Sequence, residues 1–148
     1  MHLIDLLAPG SIKAGITVSS KKKLLQELSR ILADDVQVPQ RLVFDSLIAR
    51  EKLGSTALGK GVAIPHGRIK ENITPTASLL QLKAPVGYDA PDGQDIKLVF
   101  SLIVPEDFTD HLDILRQAAE LFSNDDYREQ LIAAESSKEI RQILKDAL

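Results

Sequence analysis

The sequence predicts an α/β fold, a sheet with helices on both faces, and three observations predict it. Apolar residues recur at helical spacing before residue 52. Strand-like runs then occupy the middle of the chain. Helical spacing returns from residue 111 onward. Within the middle third, Leu98-Val99-Phe100 and Leu102-Ile103-Val104 are nearly continuous, the pattern of a strand covered on both sides. The 148 residues and 16.2 kDa fit one domain, residues 1–148. A domain of this size buries roughly two-thirds of its unfolded surface.

Leu3–Leu7 forms a short helical turn, stopped by Pro9-Gly10, and Ile12–Val18 reads as the first strand. Ser19 or Ser20 caps a helix of about Lys21–Asp34, with Leu24, Leu25, Leu28, Ile31 and Leu32 on one face. Pro39 suits the first position of a second helix, about Gln40–Lys52, with Val43, Phe44, Leu47 and Ile48 inward and Gly54 as its stop. Gly54–Gly61 is a glycine-rich loop that runs into the apolar segment Val62–Ile64, which ends at Pro65-His66-Gly67-Arg68. Strands follow at Ala77–Leu82 and Ile96–Val104, separated by the turn residues Ala90-Pro91-Asp92-Gly93. His111–Phe122 is helical with Leu112, Leu115, Ala118, Ala119 and Phe122 on one face. Ser123–Asp126 opens another helix ending near Ala134. Ser136-Ser137-Lys138-Glu139 matches a capping box for a last helix with Ile140, Ile143 and Leu144 inward.

Composition removes several function classes. Cysteine is absent, so there is no disulfide, thiol nucleophile or cysteine-based metal site. With 18 Lys+Arg against 21 Asp+Glu, a net charge of -3, the chain has no basic block to displace counterions from nucleic acid. Tryptophan is absent and aromatics are 4%, which removes a base-stacking platform. The longest strongly apolar run, Leu98–Val104, is far short of the ~20 residues a membrane helix needs. Met1-His2-Leu3-Ile4-Asp5 lacks the basic start of a signal peptide. The expectation is a cytoplasmic protein without membrane insertion.

Chemistry concentrates around the glycine loop. Gly54–Lys60 matches seven positions of the P-loop pattern, but Gly61 replaces the magnesium-binding hydroxyl, and a helix precedes the loop where a strand should. Small residues would still let backbone N–H groups approach an anion, or the loop is an ordinary turn. His66 sits at the end of the apolar segment, between Pro65 and Gly67. A neutral imidazole there is a nucleophile toward phosphorus, or an exposed turn residue. His111 opens a helix, whose positive end favours a neutral ring. Arg50, before the loop, either neutralises a helix end or offers a guanidinium fork to a phosphoryl group. Arg68 could offer a similar fork but reads first as an exposed turn arginine, while Asp92, Asp95, Asp107, Asp110 and Asp113 read as solvated charges or caps. No HxxxH or HExxH spacing occurs, so no metal site is expected.

Taken together, Arg50-Glu51-Lys52-Leu53-Gly54-Ser55-Thr56 and Gly59-Lys60-Gly61-Val62-Ala63-Ile64-Pro65-His66-Gly67-Arg68 resemble the active-site block of the IIA proteins of the bacterial phosphoenolpyruvate-dependent phosphotransferase system, fructose/mannitol class. Val104-Pro105 and His111-Leu112 extend the likeness, and the nitrogen-related branch is the most similar. The resemblance implies a three-layer α/β/α sandwich with a mixed central sheet, the type-2 IIA fold. It implies His66 as the phosphorylated residue, through Nε2. It also implies Arg50 and His111 as phosphoryl contacts, with Gly54, Ser55 and Thr56 as the adjoining loop. The implied partners are an HPr-type phosphocarrier and regulated targets of the kind tied to potassium transport or sensor kinases. No cofactor is implied.

Transfer between two imidazole nitrogens is close to thermoneutral, so the protein's task is positioning and charge stabilisation. Loss or gain of nearly two charges at one surface spot can make or abolish an interface. Two other readings remain at this point. One is a sugar-specific IIA component that passes phosphate to a fructose or mannitol IIB domain. The other is a non-catalytic protein-binding module.

Overall fold

The computed structural model describes all 148 residues. Its centre is a six-stranded mixed sheet. The strands are β1 Leu7–Ile16, β2 Ala57–Gly59, β3 Val62–Ala63, β4 His66–Ile69, β5 Thr76–Val86 and β6 Ile96–Pro105. The helices are α1 Lys21–Val36, α2 Gln40–Glu51, α3 His111–Ser123, α4 Asp125–Ala133 and α5 Ser137–Ala147, after a 3-10 turn at Leu3–Leu6. Strand order is β1-β5-β6-β3-β2, with β4 also on β6. The β1–β5, β3–β6 and β4–β6 pairs are parallel, and β5–β6 and β2–β3 are antiparallel.

Two apolar cores sandwich this sheet. Leu24, Leu28, Leu32, Val43 and Leu47 of α1 and α2 pack with Leu80, Val99 and Ile103 on one face. Ile114, Ala118, Leu131, Ile140 and Leu144 of α3–α5 pack with Leu79, Phe100, Leu102 and Val104 on the other. Alternate residues of β6 serve opposite cores, and nine of its ten residues are buried. That is why its sequence is apolar from Leu98 to Val104 but for the buried Ser101. The expected three-layer sandwich is the observed fold.

The caps follow local chemistry. Ser20 accepts from Lys23 N, Asn124 from Tyr127 N and Ser136 from Glu139 N. Glu139 completes the last cap by accepting from Glu135 N at 2.9 Å, one residue before the position a capping box would use. Pro39, expected inside α2, instead precedes it with extended ψ of 134°. The first strand begins at Leu7, five residues earlier than the sequence suggests, and passes through Pro9-Gly10. It can do so because β1 is an edge strand and its register slips between Leu7 and Ile12, so Pro9 withholds no ladder bond. Leu112, expected inward, is 69% exposed; the inward face of α3 is Ile114, Leu115, Ala118, Leu121 and Phe122.

The glycine-rich segment is a hairpin, not an open loop. Lys60 and Gly61 both have positive φ, 57° and 82°, as a two-residue turn between twisted strands requires. Asp92, read from sequence as a surface charge, accepts the Lys60 N–H at 2.7 Å and pins that turn.

Candidate functional site

His66 does not end a strand; it begins β4. Val62 pairs with Leu98, Ala63 with Val99, His66 with Leu102 and Gly67 with Ile103. The offset is the same throughout, so β3 and β4 are one strand line along β6, interrupted at Ile64-Pro65. At the interruption the His66 Nδ1–H donates to the Ile64 carbonyl at 2.8 Å. That bond fixes the ring and the tautomer, leaving Nε2 as the unprotonated nitrogen.

Alternation along β4 puts His66 and Arg68 on one face and Gly67 and Ile69 on the other. No strand lies outside β4, so its outer edge opens between the two helical layers. There α2 supplies Ser46, Ala49 and Arg50, and the following turn supplies Leu53. Leu102 and Val104 of β6 form the floor, and the N-terminus of α3 brings His111. Together with His66, Gly67 and Arg68 they line a cleft of ≈ 370 Å³. No carboxylate lines it. Gly67 is needed for the wall to come this close: a Cβ there would lie 2.5 Å from Ser46 Oγ and 3.0 Å from the Ser46 backbone carbon.

His66 is half-buried in this cleft. Burial lowers its pKa most. The Ile64 carbonyl opposes that shift, Arg50 and His111 add to it, Glu51 opposes it, and the net direction is downward from 6.5. Its neutral form therefore prevails at neutral pH. Arg50 Nη1 donates to the Gly54 carbonyl at 2.8 Å, which ties the guanidinium to the turn after α2. Arg68 Nη2 lies 2.8 Å from His111 Nε2 and 3.3 Å from His111 Nδ1, so the guanidinium lies across the imidazole.

The structure thus brings His66, Arg50 and His111 to one cleft and adds Arg68, which the sequence left undecided. It gives Gly54, Ser55 and Thr56 other work, since none lines the cleft. Gly54 offers its carbonyl to Arg50. Ser55 Oγ donates to the Tyr88 carbonyl at 3.0 Å and accepts from Ala57 N at 3.2 Å. Thr56 Oγ1 bonds the buried carboxylate of Glu51 and lies 3.2 Å from Tyr88 Oη. Nor is the segment a nest of free amides: Thr56 N and Lys60 N are already held by Glu51 and Asp92.

Glu51 is the centre of a buried cluster that composition and motif reasoning missed. It accepts from Tyr88 Oη at 2.8 Å and pairs with Lys21 Nζ at 3.0 Å. Lys21 Nζ also stands 4.3 Å from the centre of the Tyr88 ring. Burial, and then the Glu51 charge, push the Tyr88 phenol far above its usual pKa, so it stays a donor. The cluster anchors the turn that carries Gly54, and through it Arg50. The available signal was spacing: Glu51 falls four residues after Leu47 and eight after Val43, on the inward face of α2. No group of three or more His, Asp or Glu side chains is arranged to hold a metal ion, and no helix is long and apolar enough to cross a membrane.

A mixed sheet between two helical layers, with two histidines and two arginines in the cleft at its open edge, defines a class that comparison with known proteins identifies. Residues 5–147 match the family described as "Phosphoenolpyruvate-dependent sugar phosphotransferase system, EIIA 2", and the chain belongs to that family. Within it, the chain is 38% identical to the nitrogen regulatory protein of Pseudomonas aeruginosa, over 99% of this chain and 96% of that one. The crystal structure of nitrogen regulatory protein IIA-Ntr from Neisseria meningitidis matches with a TM-score of 0.90 at 42% identity, covering 96% and 98% of the two chains. The fold is shared more widely. The mannitol enzyme IIA of Escherichia coli, solved in complex with phosphorylated mannitol enzyme IIB, has a TM-score of 0.79 at 19% identity, covering 95% and 99%.

Proposed function

We propose that this protein is a phosphocarrier with a regulatory role. It accepts a phosphoryl group on His66 Nε2 from an HPr-type phosphohistidine carrier and gives it back reversibly, and its partners distinguish the two forms. The observation that carries this reading is the His66 Nδ1–H bond to Ile64 within a cationic, carboxylate-free cleft.

In the step, the Nε2 lone pair forms a bond to phosphorus. The bond between phosphorus and the carrier's imidazole breaks, and its electron pair stays on that nitrogen. The carrier's ring, protonated on its second nitrogen, leaves as neutral imidazole. His66 keeps its Nδ1 proton and ends as the phosphorylated imidazolium, so no net proton moves. The Ile64 carbonyl accepts from that proton throughout and stabilises the positive ring. Arg50 and His111 offset the charge on the transferring group.

Exposed apolar side chains beside the cleft support a protein as the donor. Leu53, on its rim, is 84% exposed, and Leu112, next to His111, is 69% exposed. Side chains of this size in the open beside a reactive group suit a transient interface. The regulatory reading rests on the full-length likeness to nitrogen regulatory proteins.

The test is incubation with phosphoenolpyruvate, enzyme I and an HPr-type carrier. Wild type acquires acid-labile label and His66→Ala acquires none. Undiminished label on His66→Ala would remove the assignment. Fast turnover to a fructose or mannitol IIB protein would replace the regulatory role with sugar transport.

A further inference from the structure

We propose that Arg68 is a second guanidinium contact for the phosphoryl group on His66, held ready by His111. This rests on the phosphocarrier reading above and names a residue for its site.

Arg68 and His66 are two residues apart on β4, and both line the cleft. A phosphoryl group on His66 spreads nearly two negative charges over three oxygens; the positive ring offsets one charge from the nitrogen side only, and one guanidinium fork reaches at most two of the oxygens. Arg50 spends one N–H on the Gly54 carbonyl. Arg68 has no carboxylate within ion-pair distance. Its only side-chain partner is the His111 ring, at 2.8 Å. In contrast, Arg30, Arg116 and Arg128 all pair with acids on their own helices.

A guanidinium laid across an imidazole leaves the rest of its planar fork of donors uncommitted. Its charge is uncompensated in a cleft that already holds Arg50. Bringing two such cations together is unfavourable until an anion sits between them. The phosphoryl group is that anion. His111 serves as the rest for Arg68, keeping the flexible side chain over the cleft and lowering the entropy lost when it closes on the phosphoryl oxygens. Arg68 is exposed, so a protein donor can reach it together with His66.

Single-turnover transfer from a phosphorylated HPr-type carrier, measured over a range of carrier concentrations, separates docking from transfer. Arg68→Ala is expected to lower the saturating rate constant about 10-fold, below the loss for an enclosed oxyanion donor because Arg68 faces solvent. The half-saturating carrier concentration should change less than twofold, Arg68→Lys should recover part of the rate, and the 31P resonance of phosphorylated His66 should move in Arg68→Ala. A saturating rate within twofold of wild type, or a loss confined to half-saturation, overturns the proposal. Wild type that takes no label on His66 instead overturns the phosphocarrier reading itself. Far-UV circular dichroism of Arg68→Ala controls for folding.

Discussion

As the proposed phosphoryl acceptor, the His66 ring balances two demands. A nucleophile needs a free lone pair, and the phosphorylated product needs a stabilised positive ring. Burial serves the first and the Ile64 carbonyl the second, with burial the larger effect. The sign for stability follows. Below 6.5 the unfolded imidazole takes up a proton before the folded one does, so the chain loses stability as pH falls from 6.5 toward the lowered folded value. Above 6.5 both states are neutral and the effect vanishes. A 15N-resolved NMR titration of the imidazoles should place the His66 midpoint below 6.5, and phosphoryl acceptance should persist down through that pH; a midpoint above it would refute the balance. Histidine, arginine and glycine at this spacing could be read from the chain because reactive groups need particular residue types. The work of Ser55 and Thr56 could not, since their partner Tyr88 lies about 30 residues on, and only the fold brings it back. Arg68 was within reach: two residues from His66 is the strand period, a signal hidden while His66 is taken to end a strand.

Among the elements, β3 and β4 decide the site. Pro65 breaks the strand, the common register with β6 resumes it, and His66 is delivered at the restart. Apolar runs reveal β6 in the sequence because both of its faces are buried. They do not reveal four-residue β4, half of whose side chains face an open cleft. Pro9-Gly10 reads as the end of a helical turn and hides the start of β1, because edge position and register slip relax the usual rule there. The packing of α2 on β4 is the other decisive contact, and it depends on the missing side chain of Gly67. Gly67→Ala would set a methyl 3.0 Å from backbone that cannot rotate away, so α2 must shift. The expected cost is about 1–3 kcal/mol by urea denaturation, with slower phosphoryl acceptance because Arg50 moves with α2. Unchanged stability and rate would show that the wall is free to yield.

At the scale of the whole molecule, the cleft lies where the two layers meet at the edge of the sheet. Its floor is β6, which is locked between both cores. Such a floor deforms little, since close-packed interiors resist graded displacement. On the phosphocarrier reading, phosphorylation changes the surface more than the fold: a doubly charged phosphoryl group on a positive ring adds one net negative charge to a chain whose net charge is -3, at one spot flanked by Leu53 and Leu112. A partner reading this change needs contacts that span the cleft and its apolar rim. The expected result in amide NMR spectra is that phosphorylation shifts resonances of the cleft residues, from Ser46 to Leu53, His66 to Arg68, Leu102 to Val104 and near His111. Those of α1 and α5, behind the cores, should stay in place. Shifts spread across α1 and α5 would show a global rearrangement, and a partner's discrimination between the forms would then have to be sought in altered packing, not in local charge.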